Sequence, residues 1–326
     1  MTKIGINGFG RIGRLFYRQI STKKNFEVVA INDLGERENL EYLLRYDTVY
    51  GRFEGKLPRY VLQEKDPANL PWKKLGIDVV VEATGVFDSF EKAKAHLDAG
   101  AKRVVITAPA KDEDGELGRT ILSGVNEDDM KSCQITSNGS CTTNSVAAVV
   151  QVLDEAIGVE KALLNTTHGY TASQSLVDGP VRGSDMRRGR AAAQNIVPSS
   201  TGAAIAVARA VQSMRGKFDG IALRVPVPAG SIADVTFLAK KNTTVEEVNE
   251  ALTKAAASPR YKDIMQVTEE PLVSSDILGQ PYGATVDLSM TRVVDGNLVK
   301  VLSWYDNEAG YVATLVRHVE LAAKSL

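Results

Sequence analysis

Asn7-Gly8-Phe9-Gly10-Arg11-Ile12-Gly13-Arg14 follows a short extended run, Lys3–Asn7, and opens a stretch in which Ile12, Leu15, Phe16 and Ile20 recur at helical spacing. Gly8, Gly10 and Gly13 therefore stand in G-x-G-x-x-G order at a strand-to-helix junction. The first glycine permits a tight turn, the second lets backbone approach a pyrophosphate, and the third lets helix and strand pack closely. Phosphates placed there meet the unpaired N–H groups and positive end of the helix. Asp33 closes the next strand, 20 residues beyond Gly13. A carboxylate at that position binds a ribose 2′-OH and repels a 2′-phosphate, which favours NAD over NADP. The competing reading makes Asp33 a turn residue ahead of Leu34-Gly35.

The alternation continues outward. Val28–Asn32, Val79–Glu82 and Val104–Thr107 read as strands, and Ser89–Ala99 as a helix stopped by Gly100, a residue suited to the left-handed turn beyond a helix. Strand–helix–strand repetition predicts an α/β fold with a Rossmann doubly wound parallel sheet over residues 1–140. Beyond residue 141 the texture changes. Thr142–Ile157 reads as a helix with Val146, Val149, Val150, Leu153 and Ile157 on one stripe, ended by Gly158. Lys161–Thr167, Gly220–Val225, Ser231–Ala239 and Leu298–Trp304 read as long strands, with helices near Thr201–Met214 and Val245–Ala257. Long strands with few crossovers predict a C-terminal α+β catalytic domain, residues 141–306, on a mostly antiparallel sheet. The last helix, Asn307–Lys324, carries Val312, Ala313, Val316 and Val319 at core spacing, and residues 307–326 are expected to pack back on the first domain. Gly179–Arg190 reads as a long loop, a length uncommon unless it serves something.

The chain's 326 residues suit two domains and can bury a core without disulfide or metal. The 39 Lys and Arg against 40 Asp and Glu give a net charge of −1, which argues against a dedicated nucleic-acid binder. Two cysteines, Cys133 and Cys141, form no disulfide framework and suit a reducing compartment. No apolar run approaches the ~18 residues of a membrane span, and Met1 leads straight into a strand. The expectation is a cytoplasmic protein with no signal peptide. Two cysteines and scattered histidines supply no zinc ligand set, so no metal is expected.

Cys141 stands at the start of a helix, where the dipole favours the thiolate, the nucleophilic form. A nearby imidazolium would lower its pKa further. His96 and His318 lie in predicted helices, whereas His168 ends a strand of the second domain beside Gly169, Tyr170 and Thr171. Pairing Cys141 with His168 is the economical choice. The competing fate of a lone cysteine is burial as a small apolar side chain, which suits Cys133. For anions, Thr201-Gly202 opens an apolar helix, Arg224 ends a strand, Thr171 lies three residues past His168, and Arg187, Arg188 and Arg190 punctuate the long loop. Taken singly, each arginine reads equally as a solvated surface charge.

In combination these segments resemble the phosphorylating glyceraldehyde-3-phosphate dehydrogenases. The resemblance runs from Ile4–Arg14 to Trp304-Tyr305-Asp306-Asn307-Glu308. Its most specific piece is Ser137-Asn138-Gly139-Ser140-Cys141-Thr142-Thr143-Asn144, supported by His168–Gln174, Asn195–Ala204 and Arg224-Val225-Pro226. It implies a homotetrameric, NAD-dependent enzyme of glycolysis that oxidises a phosphorylated aldehyde and captures the acyl group with inorganic phosphate. By the same resemblance, Cys141 matches the nucleophile and His168 the residue that activates it. Ser140, Thr142, Thr201 and Gly202 match a site for inorganic phosphate or the substrate phosphate, and Thr171, Arg188 and Arg224 match further substrate-phosphate contacts. Arg11, Ile12, Asp33, Lys65 and Thr107 match cofactor contacts alongside the glycines. Asn307 matches the residue that orients the nicotinamide carboxamide, with Tyr311 nearby. The loop Gly179–Arg190 would lie near a neighbouring subunit's cofactor.

Four departures accompany the resemblance. Lys65 stands where many members carry arginine, Ser145 replaces a second cysteine four residues after the nucleophile, Ala309 replaces a tryptophan, and Glu54–Gln63 is short. A relative sharing the cysteine signature, erythrose-4-phosphate dehydrogenase, would use the same residues on a longer sugar aldehyde with water as acceptor. From another class, a non-catalytic NAD-binding redox-sensing or interaction protein would leave Cys141 a redox sensor or inert, with the arginine-rich loop binding a partner or nucleic acid.

Overall fold

In the computed structural model, which describes every residue except Arg182, the chain divides into two units, Met1–Ser140 with Val312–Leu326 and Cys141–Tyr311. The first is built on seven parallel strands in the spatial order Tyr60–Leu62, Phe26–Asn32, Thr2–Asn7, Val79–Glu82, Arg103–Ile106, Ile135–Ser137, Gly118–Thr120. Ile4, Ile6, Val79, Val80, Val81, Val104 and Val105 are buried, as strands covered on both faces require. The chain leaves Thr2–Asn7 first toward one edge and then returns to its other side at Val79–Glu82. That reversal of strand order is where an open α/β sheet binds ligands, at the carboxyl ends of the strands.

Local signals set the helices of this unit. Helix Arg11–Ile20 turns Leu15, Phe16 and Ile20 into the core. Helix Phe90–Asp98 is capped by Ser89, whose Oγ accepts the Lys92 N–H at 3.2 Å, and Gly100 follows it at φ +104°. Such a cap contributes about 1 kcal/mol. At the strand ends Glu82 accepts hydrogen bonds from the Asn7 side chain (2.6 Å), the Thr84 N–H (2.8 Å) and His96 Nε2 (3.0 Å). Asn7 in turn accepts from Asn32 at 2.7 Å, so the tips of three adjacent strands are tied together by buried polar groups. From Val312 onward, the last helix buries Leu315, Val316 and Val319, and its His318 bonds Thr136 Oγ1 (2.7 Å) and Asn138 Oδ1 (3.1 Å).

The second unit carries a mixed sheet in the order Val197–Ser200, Phe218–Val225, Val159–Gly169, Ser231–Ala239, Leu298–Tyr305, Ala284–Val294, Met265–Thr268. It is antiparallel except where Val159–Gly169 meets Phe218–Val225 and where Met265–Thr268 meets Ala284–Val294. Helices Cys141–Ala156, Ala203–Ala210 and Val245–Ala256 pack on it. Along Ser231–Ala239 every second side chain is buried, among them Ala233, Val235 and Phe237. Two of the helices read from the sequence differ in the structure. The helix expected over Thr201–Met214 breaks at Val211 (φ −95°, ψ 83°) into Ala203–Ala210 and a 3-10 turn, Gln212–Met214, and the break buries both Val211 and Met214. The last helix begins at Ala309 and not Asn307, because the Asp306 carboxylate accepts the N–H groups of Glu308 and Ala309, both at 2.9 Å. The Gly179–Arg190 stretch holds one 3-10 turn, Met186–Gly189, and is otherwise irregular among its described residues.

Candidate active site

The glycine loop of the first unit is dictated by space. Gly8 sits at φ +94°, and a Cβ there would lie 2.6 Å from the backbone of Ala83 and Thr84. A Cβ on Gly13 would lie 2.1 Å from the Gly8 carbonyl oxygen. Gly10 is exposed, with no atom near its would-be Cβ, and no side chain caps the first turn of Arg11–Ile20. Asp33 Oδ2 accepts the Phe9 N–H at 2.7 Å and Oδ1 the Gly35 N–H at 2.9 Å, which pins the loop to the second strand. A carboxylate offers about four acceptor positions, so two remain for ribose hydroxyls. Bare glycine backbone, uncapped helix N–H groups and a half-buried carboxylate together fit a dinucleotide. Arg11 forms a two-pronged ion pair with Asp47 (3.0 and 3.3 Å), beside part-buried Ile12. Thr107 directly follows the strand Arg103–Ile106, with its N–H on the Glu82 carbonyl at 3.0 Å, and Lys65 is exposed beyond Tyr60–Leu62.

In the second unit Cys141 is the first residue of its helix, and its Sγ lies 3.3 Å from His168 Nε2. His168 is 3% exposed near the end of Val159–Gly169, and the parallel register sets it directly beside Arg224. Arg224 Nη1 is 2.7 Å from His168 Nδ1, and the Gly169 carbonyl oxygen is 2.6 Å from the same nitrogen. Tyr305 packs edge-on against the imidazole, with ring centroids 5.9 Å apart. Its buried hydroxyl bonds Thr142 Oγ1 at 2.8 Å and Thr166 Oγ1 at 2.7 Å. One aromatic side chain thus fixes the start of the cysteine's helix against the strand that carries the histidine.

Burial disfavours the charged form of each member of the pair. Burial first, and then the charges of Arg224 and Arg188, hold the His168 pKa down at about 3, so the ring is neutral at pH 7. Burial pushes the Cys141 thiol up, against the opposing pull of Arg224, the Thr142 N–H and hydroxyl, and its own N–H. Desolvation outweighs the helix dipole here.

The phosphate candidates fall into two groups. Arg188 donates to Ser199 Oγ (2.8 Å), Asp185 (3.3 Å), Ser173 Oγ (3.2 Å) and the Ser200 carbonyl (3.3 Å), and Thr171 Oγ1 is 2.9 Å from the same Ser173 hydroxyl. Arg188 and Thr171 therefore share the Ser173 hydroxyl, and Arg224 lies beside His168. Thr201 Oγ1 accepts the Ala203 N–H at 3.2 Å, and exposed Gly202 opens Ala203–Ala210 without a side-chain cap. Ser140 is part-exposed immediately before the cysteine. The Thr142 side chain is buried, with its hydroxyl bonded to Tyr305. Asn307 is buried, with Oδ1 accepting from the Gly230 N–H (3.0 Å) and Ser231 Oγ (2.9 Å), which directs the amide Nδ2 away from those partners. Tyr311 is buried in the last helix.

Comparison with known proteins resolves the family. The C-terminal domain model of glyceraldehyde 3-phosphate dehydrogenase matches residues 140–307, and the NAD binding domain model of the same enzyme matches residues 2–90. The chain is 48% identical over 345 residues to a glyceraldehyde-3-phosphate dehydrogenase of Mycobacterium avium, with 99% of each chain covered. It is 47% identical over 329 residues to glyceraldehyde-3-phosphate dehydrogenase 1 of Streptomyces avermitilis, 96% of each covered, and 46% identical over 340 residues to the Clostridium pasteurianum enzyme, 99% of each covered. The chain belongs to the glyceraldehyde-3-phosphate dehydrogenase family. As a member it is an NAD-dependent dehydrogenase.

In this family member the departures noted in the sequence acquire a setting. Ser145 is buried with its hydroxyl 2.9 Å from Ser303 Oγ, so no second thiol stands one turn from Cys141. Ala309 is buried in the first turn of the last helix, and Glu54–Gln63 contributes only the short strand Tyr60–Leu62. The other cysteine, Cys133, is buried and donates to the Ile135 carbonyl at 3.2 Å. Among the described residues no group of three or more His, Cys, Asp or Glu is placed to hold a metal, and no helix is long and apolar enough to cross a membrane. Tyr305, Ser231 and the Asp185–Ser199 pair around Arg188 were not singled out from sequence. Their roles come from strand register and loop closure, which carry no residue-spacing signal.

Proposed function

We propose that this dehydrogenase oxidises D-glyceraldehyde 3-phosphate to 1,3-bisphosphoglycerate. The observation that carries the reading is Cys141 Sγ at 3.3 Å from His168 Nε2, with Arg224 beside the same imidazole. An aldehyde has no leaving group, so covalent attachment is needed to create an alkoxide that can expel hydride. Cys141 adds to the carbonyl carbon to give a thiohemiacetal. His168 takes the hydroxyl proton as the carbon is oxidised to a thioester. Bound NAD supplies the hydride acceptor. Arg224, Arg188 and Thr171 hold the substrate phosphate, while Thr201 and Gly202 present donors to the inorganic phosphate that attacks the thioester and releases the acyl phosphate. Asn307 Nδ2 would donate to the nicotinamide carboxamide, and the Asp33 carboxylate would accept from the adenosine ribose hydroxyls.

The same reading makes the protein a cytoplasmic homotetramer working in glycolysis. Leu163 and Ile221, 66% and 53% exposed on adjacent strands of the mixed sheet, are apolar area of the kind that assembly with further copies buries. NADH formation from glyceraldehyde 3-phosphate, NAD and phosphate tests the aldehyde, the acceptor and the cofactor together. Cys141→Ser should lose roughly 10³-fold or more in rate while still binding NAD. Faster turnover of erythrose 4-phosphate, independent of phosphate, would assign the chain to the other aldehyde.

A further inference from the structure

We propose that Glu82 is a buried anion that sets the redox preference of the bound cofactor, weakening NADH relative to NAD through its charge. This rests on the proposed contact of Asp33 with the adenosine ribose and is independent of which aldehyde is oxidised.

Glu82 ends the strand Val79–Glu82, and its side chain is 1% exposed. The direction of each hydrogen bond around it is fixed from outside. On one side the Trp72 indole, which can only donate, gives its N–H to His96 Nδ1 at 3.0 Å. The ring is therefore neutral, carries its proton on Nε2, and donates it to Glu82 Oε2 at 3.0 Å. On the other side the Glu64 N–H donates to Asn32 Oδ1 at 2.8 Å, which turns the Asn32 amide nitrogen to Asn7 Oδ1 at 2.7 Å. Asn7 Nδ2 is then left to donate to Oε2 at 2.6 Å. Oε1 accepts the Thr84 N–H at 2.8 Å and the Thr84 hydroxyl at 2.5 Å, whose oxygen already accepts the Val86 N–H at 3.0 Å. These donors fill the roughly four acceptor positions of an ionised carboxylate. Among the described residues its ion-pairing partner is His96, and Trp72 keeps that ring uncharged. A net negative charge is thus sealed inside the first unit.

That charge stands where a dinucleotide crosses the sheet. Ala83 and Thr84, the two residues after Glu82, are the ones a Cβ on Gly8 would strike at 2.6 Å, so this strand end abuts the glycine loop. Asp33 follows Phe26–Asn32 on one side of Thr2–Asn7, and Glu82 ends the neighbouring strand on the other. A dinucleotide bridges the two halves of such a sheet, one mononucleotide to each. With the adenosine ribose at Asp33, the nicotinamide half belongs to the side of Val79–Glu82. NAD and NADH differ there by the single positive charge of the ring, which hydride uptake removes. A buried anion, little screened by salt, favours the charged ring and does nothing for the neutral one.

The experiment measures dissociation constants of NAD and NADH by calorimetric titration of the full-length protein, as wild type, Glu82→Gln and Glu82→Asp. Loosening of the strand tips weakens both forms of the cofactor by one factor, so the ratio Kd(NADH)/Kd(NAD) isolates the charge. Glu82→Gln should lower that ratio about tenfold, even if each affinity falls, which raises the midpoint potential of the bound couple by about 30 mV. Glu82→Asp keeps the charge and should hold the ratio within about twofold of wild type. A titration of wild type alone serves if Glu82→Gln does not fold. Benzamide adenine dinucleotide retains the planar ring and carboxamide without the charge, and should bind about tenfold more weakly than NAD. The proposal is overturned by an unchanged ratio in a folded Glu82→Gln that still binds NAD, by an equal fall in Glu82→Asp, or by equal wild-type affinity for NAD and the benzamide analogue. Relaxed discrimination against NADP in Asp33→Ala would leave the ribose contact standing in each of those cases.

Discussion

The fold holds two imidazoles neutral, and this makes the protein acid-labile in a defined window. His318 and His168 each have a pKa pushed down to about 3. For His318 the first cause is burial and the second the charge of Arg103. Both its ring nitrogens bond neutral partners, Thr136 and Asn138, and a backbone hydrogen bond of Ile121 opposes the shift only in part. In the unfolded chain histidine titrates near ~6.5. Between about 6.5 and 3 the unfolded state therefore binds a proton that the folded state refuses. The stability tied to each histidine is complete above the unfolded value and is lost as pH falls toward the folded one. At about pH 5 the loss is ~2 kcal/mol per histidine, or ~4 kcal/mol for the pair, against a total stability of ~5–15 kcal/mol. Asp78 and Asp154, held below the ordinary carboxylate range, release their contributions only at lower pH, so the higher window belongs to the histidines. The assay is urea unfolding at about pH 7, 6 and 5 for wild type and His318→Gln. The wild-type midpoint should fall steadily with acid. The variant should begin lower, having lost the packed ring, and fall about half as far. Equal slopes for the two proteins, or a flat wild type, would refute the assignment of His318 as a proton-refusing group.

Three other perturbations address the cofactor loop and the catalytic pair. Asp33→Ala removes the acceptor of the Phe9 and Gly35 N–H groups together with the charge that disfavours a 2′-phosphate. Its KM for NAD should rise about 10–100-fold and its preference over NADP should relax, and unchanged discrimination in steady-state kinetics would count against the ribose role. Gly13→Ala forces a methyl to 2.1 Å from the Gly8 carbonyl oxygen, so NAD affinity in a fluorescence titration should drop by about tenfold or more at a stability cost of about 1–3 kcal/mol. Tyr305→Phe takes away the hydroxyl shared by Thr142 and Thr166. It should destabilise by about 1–3 kcal/mol and lower kcat while KM for NAD holds, and a normal kcat would show that the hydroxyl does not position the cysteine.

The parts of this fold that announce themselves in sequence are those governed by short-range geometry. Gly8 and Gly13 could be picked out because turn and packing sterics act within a few residues, and Ser231–Ala239 because alternate burial follows from the pleat. Ala284–Val294 went unread although it is 11 residues long, since Asp287, Ser289 and Thr291 interrupt its apolar run and its burial alternates over only part of its length. Tyr60–Leu62 and Gly118–Thr120 have 3 residues each, too few for any period to show. The break at Val211 was equally hidden, because the helical pattern continues across it and only tertiary burial of Met214 makes the turn worthwhile.

The site divides along the same line, and its charge state shows why. Cys141 was placed at a helix start and His168 at a strand end by local pattern alone. That Arg224 faces His168 depends on the parallel register between two strands separated by 48 residues or more of chain, which no spacing rule supplies. A helix dipole is a local effect of about 0.3–1 kcal/mol, and it favours a thiolate. Burial of the sulfur and the imidazole is a tertiary effect large enough to hold one pKa up and the other down at about 3. The residues of the pair are legible from local pattern, while the burial that acts on their ionisation is set by tertiary packing.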